Sequence, residues 1–189
     1  EERIETLEEE LKKAFECAQL QAASLSKIRK EAARHIEDEV QHTLASLGMP
    51  NVCFQVEIKD KDRLTSTGKD SITFTFSANK STSPKPISQV ASGGEIARVM
   101  LAIKAMTSQK TQLPTIIFDE IDTGVSGSIA ESMALIMGNM CKAEHRQVIT
   151  ITHLPQIAAC GTSHLKVYKT DEGNKTTSHI CQLTPDERI

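Results

Sequence analysis

The sequence predicts an α/β lobe, strands with flanking helices, preceded by one long coiled-coil helix. Three observations predict it. Residues 1–47 contain neither Gly nor Pro and are rich in Glu, Lys, Ala, Leu and Gln, all good helix formers. Two runs, 52–58 and 72–76, alternate apolar and polar residues with period two, as half-buried strands do. From residue 92 onward, helix-like and strand-like stretches alternate along the chain.

The long helix is justified by its spacing. Ile4, Leu7, Leu11, Ala14 and Ala18, then Leu25, Ile28 and Ala32, follow one another at intervals of three and four, the heptad spacing of a coiled-coil seam. Gln21 and His35 fall on the same seam, where a polar residue weakens packing but fixes register. The apolar positions then shift to Ile36, Val40, Leu44 and Leu47, as expected where a coil enters a globular body. At 1.5 Å per residue the helix would run ~70 Å, which favours an arm over an amphipathic helix lying on its own domain. Gly48 and Pro50 stop it. The expected division is therefore residues 1–47 as the end of a coiled-coil arm and 48–189 as the lobe.

Within the lobe, the charged stretch Lys59 to Asp70 and the Ser/Thr/Asn/Lys/Pro-rich stretch Ala78 to Ser88 read as surface loops. The alternating part reads as helix Glu95–Thr107, strand Thr115–Phe118, helix Ser126–Met140, strand Gln147–Ile151 and a short helix Leu154–Ala159. Two closing strands, Leu165–Lys169 and Thr177–Gln182, flank a turn at Asp171-Glu172-Gly173-Asn174. There is no internal repeat.

Bulk composition narrows the function classes. Hydrophobic residues are 39% and charged residues 25%, ordinary values for a globular chain. A net charge of −3 gives no reason to expect DNA or anionic membrane binding across the whole surface. Cys17, Cys53, Cys141, Cys160 and Cys181 are odd in number and lack C-x-x-C spacing. That argues against a disulfide framework or a zinc site and suits a reducing cytosol. No apolar run approaches the ~18 residues of a membrane span. Glu1-Glu2 at the start, in place of Met, suggests a piece excised from a longer protein.

The chemistry centres on Thr115 to Glu120, T-I-I-F-D-E. An apolar, β-branched run ending in two acids puts carboxylates at the C-terminal edge of a buried strand, where open α/β sheets bind ligands. Asp119 can hold Mg²⁺, usually through water, and Glu120 can orient or deprotonate an attacking water. Two solvated acids at a strand end are the other reading. Upstream, Ala91-Ser92-Gly93-Gly94-Glu95 opens a helix, and adjacent glycines at a helix start let backbone N–H groups approach an anion such as a phosphate. Alone, Ser92 reads equally well as a helix cap. Downstream, Ile121-Asp122-Thr123-Gly124 forms a polar turn at the same edge, and strand 148–151 delivers Thr152 and His153 beside it. A lone histidine is more often structural; this one comes with company.

In that order, these motifs resemble the ABC ATPase family. Ser92-Gly93-Gly94-Glu95 is similar to its signature motif, and Asp119-Glu120 to Walker B with the catalytic glutamate. Asp122 resembles the D-loop aspartate, and His153 the switch histidine. The heptad arm narrows the resemblance to the SMC-like branch. The stretches 47–50, 90–98, 118–127 and 152–158 narrow it further, to a bacterial DNA-repair type. The resemblance implies the C-terminal lobe of an ATPase head, with ATP and Mg²⁺ as ligands. It also implies a role in recombinational repair of DNA double-strand breaks, in the cytoplasm at the nucleoid and away from membranes. Implied partners are the N-terminal Walker A lobe of the same protein, a second head in a homodimer, and DNA.

A P-loop, G-x-x-x-x-G-K-[ST], is missing. Gly68-Lys69 is followed by Asp70 and has Arg63 where the first glycine belongs. The resemblance accounts for this, since Walker A lies before the coil in this branch. It implies that Ser92, Gly93 and Gly94 act on nucleotide held by another head, while Asp119, Glu120 and His153 serve their own. The chain alone is therefore expected to be inactive. Other readings are a lobe of a recombination-nuclease or chromosome-condensation ATPase, or a non-catalytic ABC-like interaction module.

Overall fold

The computed structural model describes residues 2–89, 93–108, 113–125, 127–144, 146–173 and 175–188. It divides into two compact units, one of residues 1–45 with 49–91, the other of residues 46–48 with 92–189.

In the first unit, helix α1 runs Glu2–Ser46, as its composition and heptads predict. Its first twenty positions are exposed almost all round, and the seam residues Ile4, Leu7 and Leu11 have no cover. Burial begins at Ala22 and Ser26, ahead of the apolar phase shift, and continues through Ala33, Val40 and Leu44. The rest of the unit is an antiparallel sheet of β1 (Cys53–Thr65), β2 (Gly68–Ser77) and the short β3 (Lys85–Pro86), in that order. Phe54 is fully buried, pairs across the ladder with Phe76, and stacks on Phe74 at 5.9 Å between centroids. A short 3₁₀ turn, Ile87–Gln89, follows β3.

The charged segment Lys59 to Asp70 departs from the expected loop. Lys59 pairs with Ser71 and Asp60 with Asp70, and after a register shift Thr65 pairs with Gly68. Backbone pairing carries the hairpin through a run that is too polar to advertise a strand. Two features anchor this hairpin to the helix. Asp70, buried, accepts hydrogen bonds from the Ser26 hydroxyl at 2.6 Å and the Arg29 guanidinium at 2.8 Å. Those two donors, Ser26 first, hold its carboxyl below the ordinary aspartate range. Arg29 also donates to Thr67 O, and Val56 N on the outer edge of β1 donates to Glu37 Oε1 at 2.7 Å.

In the second unit, α2 (Gly93–Ser108), β4 (Thr115–Asp119), α3 (Ser128–Glu144), β5 (Gln147–Ile151) and α4 (Pro155–Ala158) follow one another as expected, within a few residues. β4 and β5 pair in parallel, Thr115 with Gln147 through Asp119 with Ile151. Their inner face, with Ile116 and Phe118, packs with Leu47, Leu101, Met133, Ala134, Met137 and Ile157 into one core. Ala130, Met133, Ala134 and Met137 share one stripe of α3, the spacing that a helix needs to cover a sheet. Burying side chains such as Leu101 and Met133 contributes about 1.5–3 kcal/mol each.

β4, expected as a buried strand, is covered on one face only by the described residues. Ile117, Ile149 and Ile151 on the other face are 59%, 36% and 50% exposed. Buried Arg146 ties the start of β5 back to the chain before β4, donating to Leu113 O at 2.6 Å and to Ser108 O at 2.7 Å. The closing hairpin, β6 (Leu165–Glu172) with β7 (Lys175–Gln182), is longer than expected, because the ladder continues to Glu172 opposite Lys175. A last 3₁₀ turn spans Pro185–Glu187.

Candidate functional site

Parallel pairing of β4 with β5 decides what meets at the sheet's C-terminal edge. Because Asp119 lies opposite Ile151, the residues leaving the two strands, Glu120 on one side and Thr152-His153 on the other, emerge side by side. Glu120 N still donates to Ile151 O at 3.1 Å, extending the ladder by one bond. Asp119 and Glu120 are both exposed. Glu120 has φ 46°, a left-handed conformation that a side chain with a Cβ adopts at a cost of order 1 kcal/mol. Such backbone reverses the chain sharply after the strand and holds the carboxylate at the rim.

A tight turn then fixes the next residues. Thr123 Oγ1 donates to Glu120 O at 2.9 Å and Val125 N donates to Asp122 O at 3.1 Å. Gly124, at φ 74°, supplies the left-handed step this turn requires. The turn directs Asp122 inward, where the residue is 1% exposed. Its Oδ2 accepts a short hydrogen bond from Thr152 Oγ1 and lies 3.7 Å from His153 Nδ1. Its Oδ1 has no hydrogen-bond partner among the described residues. The His153 side chain itself is 70% exposed. Thr152 is the residue that sequence reasoning left without a role. Its hydroxyl also accepts the Leu154 N–H at 3.0 Å.

The glycine pair sits at the N-terminus of α2. At Gly93 no atom of the described residues lies within 4 Å of where a Cβ would stand. A Cβ on Gly94 would lie 2.8 Å from the carbonyl oxygen of Thr123, so this glycine lets the helix start approach the turn after Glu120. Glu95 is half-buried in the first helical turn. Ser92 lies outside the described residues. Six of the eight residues singled out in the sequence, Gly93, Gly94, Asp119, Glu120, Asp122 and His153, thus belong to one edge: the two strand ends, the turn between them, and the helix start against that turn.

Among the described residues no group of three His, Cys, Asp or Glu side chains is assembled that could cage a metal ion. One exposed aspartate at a strand end suits Mg²⁺ all the same, because that ion keeps waters and phosphate oxygens as most of its ligands. No helix of the described residues is long and apolar enough to cross a membrane.

Comparison with known proteins places this geometry in context. No family model matches the chain. The chain is 36% identical over 189 residues to the DNA repair protein RecN of Haemophilus influenzae, a match covering 100% of this chain and 34% of that protein. It therefore spans about a third of the length of the curated relative it matches. Among solved structures it is similar to the Smc head domain with a coiled coil and joint from Pyrococcus yayanosii, with a TM-score of 0.69. The identity there is 19%, over 98% of this chain and 34% of that one. A second likeness, at TM-score 0.55 and 19% identity, covers 85% of this chain and 91% of a chain solved in work on ATP-driven dimerization and DNA-stimulated activation of SMC ATPases. The fold is that of an SMC ATPase head domain, mixed α/β with a long N-terminal helix.

Proposed function

This chain corresponds to a C-terminal part of RecN, and from that premise we propose that it is the signature and Walker B lobe of an ATPase head acting in recombinational repair of DNA double-strand breaks. The observation that carries the reading is the meeting of Asp119, Glu120 and His153 at one parallel-strand edge, with Gly94 seated against the turn that joins them. In this reading residues 1–47 are the end of the arm and 48–189 the lobe. The Walker A lobe of the same protein holds the nucleotide. A second head, in a homodimer, brings its own signature across, so that Ser92, Gly93, Gly94 and Glu95 of one chain serve ATP held by the other, with Asp122 near the join.

The roles divide by chemistry. Glu120, exposed at the rim, orients a water and takes its proton as that water attacks the γ-phosphate, a contribution of about 10²–10⁴ in rate for a placed general base. His153 donates a hydrogen bond to the γ-phosphate as charge builds there. Gly93 and Gly94, at a helix N-terminus, offer N–H groups and the positive end of the dipole to phosphate oxygens. Asp119 would hold Mg²⁺, which when bound neutralises charge on the β- and γ-phosphates. The uncovered face with Ile117, Ile149 and Ile151 supports the need for another lobe, since parallel sheets are ordinarily covered on both sides. The expected place of action is the cytoplasm, at the nucleoid, on DNA.

Glu120→Gln in the full-length protein tests this. ATP binding should persist while turnover falls at least about a hundredfold. Turnover that survives the change removes Glu120 from the reaction.

A further inference from the structure

We propose that Thr152 is a positioning residue for hydrolysis, its hydroxyl fixing the direction in which His153 leaves strand β5. The inference rests on the reading of His153 given above and deepens it. Three observations carry it. The Thr152 hydroxyl donates to Oδ2 of Asp122, a carboxylate that is buried and held by the turn after Glu120. The same oxygen accepts the Leu154 N–H at 3.0 Å, so one hydroxyl closes the backbone turn on both sides of His153. The His153 ring is 70% exposed, and its nearest acidic contact, Asp122 Oδ2, stands at 3.7 Å, beyond a good hydrogen bond.

An exposed imidazole whose nearest acid stands at 3.7 Å keeps its rotamer freedom, but the backbone it hangs from is pinned from residue 152 to residue 154. Thr152 therefore limits the volume the ring sweeps. It also couples that volume to the turn of Asp122 and Thr123, against which the start of α2 is packed at Gly94. A shift of the signature helix would reach His153 through this hydroxyl. Leu, Val or Ala at 152 would leave Asp122 with neither oxygen bonded among the described residues and Leu154 N–H without its acceptor.

The test uses the full-length protein and the pair Thr152→Ser and Thr152→Ala, which differ only in the hydroxyl, with His153→Ala alongside and Thr115→Val as a control at the far end of the sheet. Steady-state ATP turnover and melting temperature are measured for each. Thr152→Ala should lower kcat about ten- to a hundredfold with KM for ATP within about twofold, since misplacement of a reacting group by ~1 Å carries losses of that size. Thr152→Ser should retain most of kcat, and Thr115→Val all of it. If His153→Ala is impaired while Thr152→Ala is not, the positioning role is overturned and the reading of His153 stands. Ser as defective as Ala overturns it too. Full turnover in His153→Ala overturns the reading itself and the positioning role with it.

Discussion

The adjacent glycines at the start of α2 offer a perturbation whose two halves should part company. Both are helical positions, Gly93 first and Gly94 second. Alanine at either gains up to about 0.5–1 kcal/mol from reduced freedom of the unfolded chain. At Gly93 the new methyl meets no atom of the described residues within 4 Å, so that gain stands. At Gly94 it lies 2.8 Å from the Thr123 carbonyl oxygen, a backbone atom that cannot swing aside. Overpacking of that kind costs about 1–3 kcal/mol. The propensity gain is common to both variants and cancels in their difference, leaving Gly94→Ala less stable than Gly93→Ala by about 1–3 kcal/mol. At about 2–4 °C per kcal/mol for a chain of this length, the two melting temperatures should differ by about 2–12 °C. Thermal unfolding followed by circular dichroism reads this directly. Turnover in the full-length protein adds the functional half: Gly93→Ala, stable as it is, should still lose activity if, as proposed, another head's phosphate sits beside it. Equal melting temperatures, or a Gly94→Ala variant stabler than Gly93→Ala, would refute the packing argument.

Other expectations follow from the anchors of the two units. Asp70 has its carboxyl held down by Ser26 and Arg29, so its contribution is fully present above the unfolded-state value near 3.8 and is lost as pH falls through the lower folded-state value. Ser26→Ala should make urea stability less steeply dependent on pH below about 4, and an unchanged acid limb would count against the assignment. Arg146→Met removes two charge-assisted bonds to the Leu113 and Ser108 carbonyls and should cost about 2–3 kcal/mol in denaturant unfolding. A loss under about 0.5 kcal/mol, the range of ordinary surface changes, would mean the anchor is idle.

Much of this was readable in the chain. Local signals sufficed wherever periodicity or punctuation was strong: the heptads of α1, the stop at Gly48, the apolar β4 ending in two acids. The apolar shift at Ile36, Val40 and Leu44 marked where α1 acquires cover, although burial starts earlier, at Ala22 and Ser26, because the hairpin tip reaches back along the helix through Asp70. That long-range contact has no local signature, and neither does the extension of β1 through Lys-Asp-Lys-Asp-Arg, where pairing with β2 overrides a polar run. The candidate site was legible as a set of motifs, and the parallel register converts the set into a place. What the motifs lacked was connection. Asp122 was named for its position after Glu120, but its burial and its bond to Thr152 depend on where β5 ends, a fact carried by residues thirty positions away.

This lobe is proposed to carry the reacting side chains while the nucleotide is held elsewhere. ATP turnover by the purified chain, alone and mixed with a separately produced lobe bearing G-x-x-x-x-G-K-[ST], tests this division of labour most directly. The expected result is no turnover alone and turnover in the mixture that Glu120→Gln abolishes. Robust hydrolysis by the chain alone would contradict it.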